Sequence, residues 1–153
     1  MISSIRHVGI VVRDLDVSLK FYRDTLGLLV YRRYTEPPDK FIDKLVGIDG
    51  VKLEWVKVII PKGGLIELLQ YHSHPDSDVS KGRTMFPANK LGCSHVSLTV
   101  DDLSSLYDKL VKNGYVCNSE PLLSPDGKVK ILYCHDPDGV ILELIEDLEG
   151  LKK

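Results

Sequence analysis

His7 and His95 each open a short alternating apolar run, and Glu67 and Glu143 each stand in the middle of one. Imidazole suits Zn, Ni, Fe and Co, while carboxylate oxygen suits Mg and Mn. Two of each make a donor set for one divalent cation that discriminates poorly among metals. A carboxylate inside Leu65-Ile66-Glu67-Leu68-Leu69 or Val140-Ile141-Leu142-Glu143-Leu144-Ile145 is costly to bury unless it is paired or bound to a metal. Four protein ligands on a six-coordinate ion leave two open cis positions, enough for two adjacent oxygens of a substrate. Taken singly, a histidine at the head of a strand is ordinarily structural, and a glutamate in an apolar strand ordinarily marks an edge or an interface. The recurrence of all four at matching places favours a shared site over these plainer readings.

The matching places come from a repeat. His7-Val8-Gly9-Ile10-Val11-Val12-Arg13-Asp14-Leu15 has its counterpart 88 residues later in His95-Val96-Ser97-Leu98-Thr99-Val100-Asp101-Asp102-Leu103, and self-similarity at that spacing points to a duplicated unit. His7 to Glu67 spans 60 residues and His95 to Glu143 spans 48. The difference of 12 is about the size of an extra piece between Glu36 and Gly50.

Local patterning supplies the elements that must position the four residues. Ile5 to Val12 alternates as a strand, with His7, Gly9 and Val11 on one face. Asp14 suits an N-cap, Leu15, Leu19, Tyr22 and Leu26 form a stripe of helical period, and Gly27 closes the helix. Leu28 to Tyr34 reads as a strand, broken by Glu36-Pro37-Pro38. Asp39 to Val46 reads as one or two helical turns. Leu53 to Ile60 and Leu65 to Tyr71 are strands joined across Pro61-Lys62-Gly63-Gly64, a hairpin signal.

The order then repeats. Ser94 to Val100 is a strand with His95, Ser97 and Thr99 on its polar face, followed by a helix from Leu103 that Gly114 closes. A strand is expected near Val116 and another over Val129 to Cys134. The turn Asp136-Pro137-Asp138-Gly139 leads into a last strand over Val140 to Ile145. The expected organisation is a β-α-β-β-β module over 1–72 with an insertion near 36–50, a connector over 73–92, and a second β-α-β-β-β module over 93–148. The fold class is α+β.

Composition excludes several function classes. Of 153 residues, 43% are apolar and 27% charged, as in an ordinary globular protein. A net charge of −2 gives no electrostatic reason to expect nucleic acid or an anionic membrane as a partner. No apolar run approaches the ~18 residues that span a bilayer. Met1 to His7 lacks the layout of a signal peptide. Cys93, Cys117 and Cys134 are odd in number and not closely paired in sequence, so reduced thiols in the cytoplasm are expected. His72 and His74 offer a weaker second metal pair, and His135 is expected to bond backbone. Trp55, Phe41 and Phe86 are read as core or cleft wall.

At these residues the sequence resembles the vicinal oxygen chelate superfamily, which includes glyoxalase I, methylmalonyl-CoA epimerase, extradiol dioxygenases and antibiotic-resistance proteins. The resemblance runs from Ile5 to Glu146. It is strongest in the His7 to Leu15 run, in Phe21-Tyr22-Arg23-Asp24-Thr25-Leu26-Gly27-Leu28, and in Asp136-Pro137-Asp138-Gly139-Val140-Ile141-Leu142-Glu143-Leu144. It implies curled mixed sheets around a metal cleft, a homodimer, and one divalent ion (Ni, Co, Zn, Mn or Fe) on His7, Glu67, His95 and Glu143. The implied chemistry is proton abstraction beside a carbonyl of a small-molecule substrate through an enediolate, with Glu143 or Glu67 as the base. A glyoxalase I-like lyase or isomerase is the first expectation, and an epimerase acting on an acyl thioester the alternative. An extradiol dioxygenase on His7, His95 and Glu143 would leave Glu67 unexplained. Drug-sequestering members typically lack the ligand set. A further glutamate base, Glu36 or Glu54, is not selected by any spacing.

Overall fold

The computed structural model of the chain describes residues 2–76, 85–89 and 91–148. It divides into two compact units, Met1–Gly82 and Arg83–Lys153. The first holds β1 (Val8–Val11), α1 (Leu15–Leu19), β2 (Leu29–Thr35), α2 (Lys40–Val46), β3 (Leu53–Ile59) and β4 (Leu65–Tyr71). The second holds β5 (His95–Thr99), α3 (Leu103–Lys112), β6 (Leu122–Leu123), β7 (Val129–His135) and β8 (Ile141–Asp147). The centre of the expected connector, 77–84, lies outside the described residues, as does residue 90. Among the described residues no helix is long and apolar enough to cross a membrane.

Each unit is one four-stranded open mixed sheet, in the order β1-β4-β3-β2 and β5-β8-β7-β6. The first strand pairs parallel with the last, and the remaining pairs are antiparallel. The repeat read from the sequence is therefore a repeat of topology, and it extends to register. Gly9 faces Glu67, which faces Lys57; in the second unit Ser97 faces Glu143, which faces Tyr133.

The helix starts are built twice in the same way. Asp14 accepts from the amides of Asp16 and Val17 at 2.8 and 3.0 Å, and Asp102 accepts from that of Ser105 at 3.0 Å. The first helical amides find a second acceptor on the last strand. Leu15 N–H donates to Gln70 Oε1 and Leu103 N–H to Glu146 Oε2, both at 3.0 Å. Gln70 and Glu146 each stand three residues past the candidate ligand, so alternation turns them to the opposite face. One strand thus carries the candidate ligand on one face and anchors the helix on the other.

Apolar burial follows the same alternation. Ile66, Leu68, Leu142 and Leu144 are fully buried, with Leu15, Phe21 and Tyr22 in the first unit and Leu103 and Leu110 in the second. The expected α-helical stripe is modified, because α1 widens into a π-helical stretch over Lys20–Thr25. Leu26 N–H reaches Phe21 O at 2.9 Å, and Thr25 Oγ1 donates to Lys20 O. The wider turn lets the consecutive rings of Phe21 and Tyr22 both enter the core, edge to face at 5.0 Å. Gly27, at φ +78°, then takes the chain out in a conformation that favours glycine.

The insertion is the expected helix. Asp39 caps α2, Gly47 at φ +72° closes it, and Ile42 packs with Val51 and Leu53 in a small core of its own. Phe41 is not core: it is 70% exposed. The strand expected near Val116 is reduced to a single bridge between Cys117 and Cys134, with β6 beginning only after Pro121. Proline has no amide to give a ladder. The bridge also sets two cysteines opposite each other that the sequence holds 17 apart. All three cysteines are free, and burial pushes the Cys134 thiol up to about 12.

A polar tie joins β2, β3 and α1. Arg33 Nε binds Glu54 Oε1 at 2.6 Å and its NH1 binds Asp16 Oδ1 at 2.5 Å, while His72 Nε2 lies 3.0 Å from Glu54 Oε2. The Arg33 hydrogen bond, helped by His72, holds the Glu54 carboxyl below its ordinary value of 4.5. A depressed carboxyl contributes stability above its unfolded value and loses it as pH falls through the folded one. Arg33 is 41% exposed, so solvent screening limits the contribution to about 0.5–1 kcal/mol. Glu54→Gln is expected to lower stability by that amount at pH 7, with the two proteins converging as pH drops below 4.5. Denaturant titrations at stepped pH check this; a gap that does not change with pH would assign the loss to something other than the charge.

Candidate metal-binding site

His7 lies just before β1 and His95 is the first residue of β5. Parallel pairing with the last strand brings each imidazole to the glutamate of its own unit. His7 Nε2 is 3.1 Å from Glu67 Oε2, and His95 Nε2 is 3.5 Å from Glu143 Oε2. The glutamates are shielded, with side chains 13% and 19% exposed, and the histidines are about a third exposed. Each unit thus presents one nitrogen and one oxygen donor at the same place in its sheet. Among the described residues no group of three or more His, Cys, Asp or Glu side chains is gathered for a metal ion.

The back of each imidazole differs. His95 Nδ1 is 2.8 Å from Ser94 Oγ; with the proton on Nδ1, that hydroxyl accepts it and leaves the Nε2 lone pair free. His7 Nδ1 is buried with no hydrogen-bond partner. The glutamates also have different cross-strand neighbours. Lys57 Nζ is 3.2 Å from Glu67 Oε1. Tyr133, in the equivalent place, hydrogen-bonds Glu143; its hydroxyl is shifted upward first by burial and then by that carboxylate.

The donor chemistry and spacing of each unit fit half of the ligand set of one divalent ion. Two donors ~2.0–2.2 Å from one ion stand roughly 3.0–3.5 Å apart at octahedral or tetrahedral angles. The observed N···O separations of 3.1 and 3.5 Å match this. They are also the separations of a histidine–glutamate pair that holds itself together without a metal.

The family model of the Glyoxalase/Bleomycin resistance protein/Dioxygenase superfamily matches residues 4–144. The chain belongs to this superfamily. Among curated members, a probable lactoylglutathione lyase of Synechocystis is 31% identical over 140 residues, covering 92% of each chain. A lactoylglutathione lyase of Schizosaccharomyces pombe is 29% identical over 97% of this chain but only 49% of its own length. The crystal structure of a glyoxalase family protein from Bacillus cereus superimposes with a TM-score of 0.84 at 24% identity, covering 97% of this chain and 96% of that one. The two open sheets are thus the glyoxalase-like fold of the superfamily.

Other candidates that the sequence raised are engaged elsewhere. Glu36 Oε1 accepts from Trp55 Nε1 at 2.6 Å, and Glu54 is held by Arg33 and His72. His74 Nδ1 is 2.9 Å from Ser73 Oγ and His72 binds Glu54, so each member of the weaker second pair is bound to a different partner. His135 is buried, with Nδ1 3.2 Å from Gly139 O as expected and Nε2 2.8 Å from Asn118 Oδ1. Lys57 and Tyr133 were not found by sequence reasoning. The signal was available: each stands ten residues before its glutamate on the preceding strand.

Proposed function

We propose that this superfamily member is a metal-dependent, glyoxalase I-like enzyme that moves a proton next to a carbonyl of a small substrate. In this reading His7, Glu67, His95 and Glu143 hold one divalent ion, the two half-sites coming from one chain or from two copies. The observation that carries it is the matched His–Glu pair in each repeat, at 3.1 and 3.5 Å. Relatives named lactoylglutathione lyase support the reaction class. Bound there, a divalent ion supplies Lewis acidity that lowers the cost of negative charge on a substrate oxygen.

The chain's own residues do the rest. His7 and His95 are the imidazole donors, and Ser94 holds the His95 ring from behind. Glu143 takes the proton from carbon and returns it to the neighbouring carbon. Glu143 is preferred over Glu67 on electrostatic grounds. Proton transfer to Glu67 would break its ion pair with Lys57, whereas the cross-strand neighbour of Glu143 in the equivalent place is the neutral phenol of Tyr133. Tyr133 also holds the carboxylate in place, with its ring 5.2 Å from that of His95.

The test is a panel of 2-oxoaldehyde–thiol adducts and acyl-CoA thioesters, offered to metal-loaded protein in heavy water and read by mass spectrometry. The expected result is isomerisation of a thiol adduct, with solvent deuterium in the substrate or product where the proton on Glu143 exchanges before its return. Exchange confined to the carbon beside a thioester would turn the reading to an epimerase. No conversion and no deuterium uptake across the panel would remove proton transfer on these substrates.

A further inference from the structure

We propose that Lys57 is a resident counter-cation of the first half-site, one that holds Glu67 in the absence of a divalent ion and sets how tightly an ion binds. The inference rests on the reading that an ion is held at these residues. Lys57 lies directly across from Glu67 in the β3–β4 register. Its Nζ is 3.2 Å from Oε1, while His7 Nε2 is 3.1 Å from Oε2, so both carboxylate oxygens are engaged.

Lys57 is not a free surface lysine. Its side chain is only 24% exposed, and its ammonium lies 4.7 Å from the centroid of the Trp55 ring. Trp55 is itself held, by its hydrogen bond to Glu36 and by contact with Tyr34 at 5.5 Å. The ammonium is therefore kept beside Glu67 from two sides, by the carboxylate and by the ring. The second unit has no such charge, because the same register position is Tyr133.

A divalent ion arriving at Glu67 Oε2 has to share a carboxylate already paired through Oε1 with an ammonium, and to tolerate that positive charge a few ångströms away. One arriving at Glu143 meets neither obstacle. The two half-sites consequently make unequal contributions to affinity, with the first weakened by its own lysine. This asymmetry is invisible in the ligand residues, which are His and Glu in both repeats.

The test is competition between the 153-residue chain and a chelating fluorescent dye for Zn²⁺, Co²⁺ or Ni²⁺. Lys57→Met keeps the stem and removes the charge. It is expected to tighten binding by ~10–100-fold, the scale of one charge at short range in a partly shielded site. Lys57→Arg, which keeps the charge, should stay within about threefold of the parent protein, on the same reasoning. Lys57→Gln carries the same expectation as Lys57→Met, so the test does not depend on one variant folding. If Lys57→Met and Lys57→Gln bind no more tightly than the parent while His95→Ala abolishes binding, the lysine inference falls and the metal reading stands. If the parent and all Lys57 variants fail to bind any of the three ions, both fall.

Discussion

Glu143→Gln is expected to slow proton transfer by about 10²–10⁴, the usual loss for a positioned general base, while leaving most of the bound metal in place. Glutamine keeps the shape of the side chain and an oxygen that can face the ion, but it has no basic carboxylate. The remaining ligands are unchanged, and β8 keeps its core, because Leu142 and Leu144 on the other face are fully buried. Activity and metal content should therefore separate. Deuterium exchange into a turned-over substrate, with metal measured on the same sample, decides the matter. Glu67→Gln serves as the comparison, and its effect on exchange should be the smaller, because Lys57 already engages that carboxylate at 3.2 Å. Parent-like exchange in both fully metallated variants would end the reading of Glu143 or Glu67 as the base and leave Glu36, Glu54 or a metal-bound hydroxide to supply it.

His95→Ala should behave differently: metal and activity fall together in a protein that remains folded. The imidazole is 31% exposed and does not belong to the buried apolar core, so truncation costs little packing. It does remove a nitrogen donor held by Ser94 at 2.8 Å. Losing only the partner that orients a ligand typically costs roughly 10–100-fold in affinity, and losing the ligand itself should cost more. Metal analysis after dialysis, with circular dichroism on the same sample, checks both halves of the expectation. Full metal content in both His95→Ala and Glu67→Ala would show that the four residues do not form the site.

Features that depend on neighbours along the chain were legible in the residues alone. The spacing from His7 to Asp14 and from His95 to Asp102 is seven in both repeats, so strand head and helix cap were legible together. Period-two alternation fixed that Glu67 and Glu143 turn away from the faces of Ile66, Leu68, Leu142 and Leu144, because side chains on a strand point to opposite sides in turn. The insertion helix was legible too, since Asp39 and Gly47 are local caps.

The residues that stand across the sheet were settled by strand pairing and packing. The parallel pairing that brings His7 to Glu67 joins residues 60 apart, and the sequence could suggest that meeting only through the repeat. The partners Lys57 and Tyr133 come from the registers of the two hairpins, which depend on where each turn closes and how both strands pack. The shrinkage of the strand near Val116 and the widening of α1 into a π-helical turn have the same origin. In each case local propensity allowed an ordinary element. Pairing with a neighbouring strand, or burial of both Phe21 and Tyr22, then selected another. The difference between the two His–Glu pairs lies wholly on this side of the line: the candidate ligands match residue for residue, and a lysine opposite one glutamate and a tyrosine opposite the other make them electrostatically unlike.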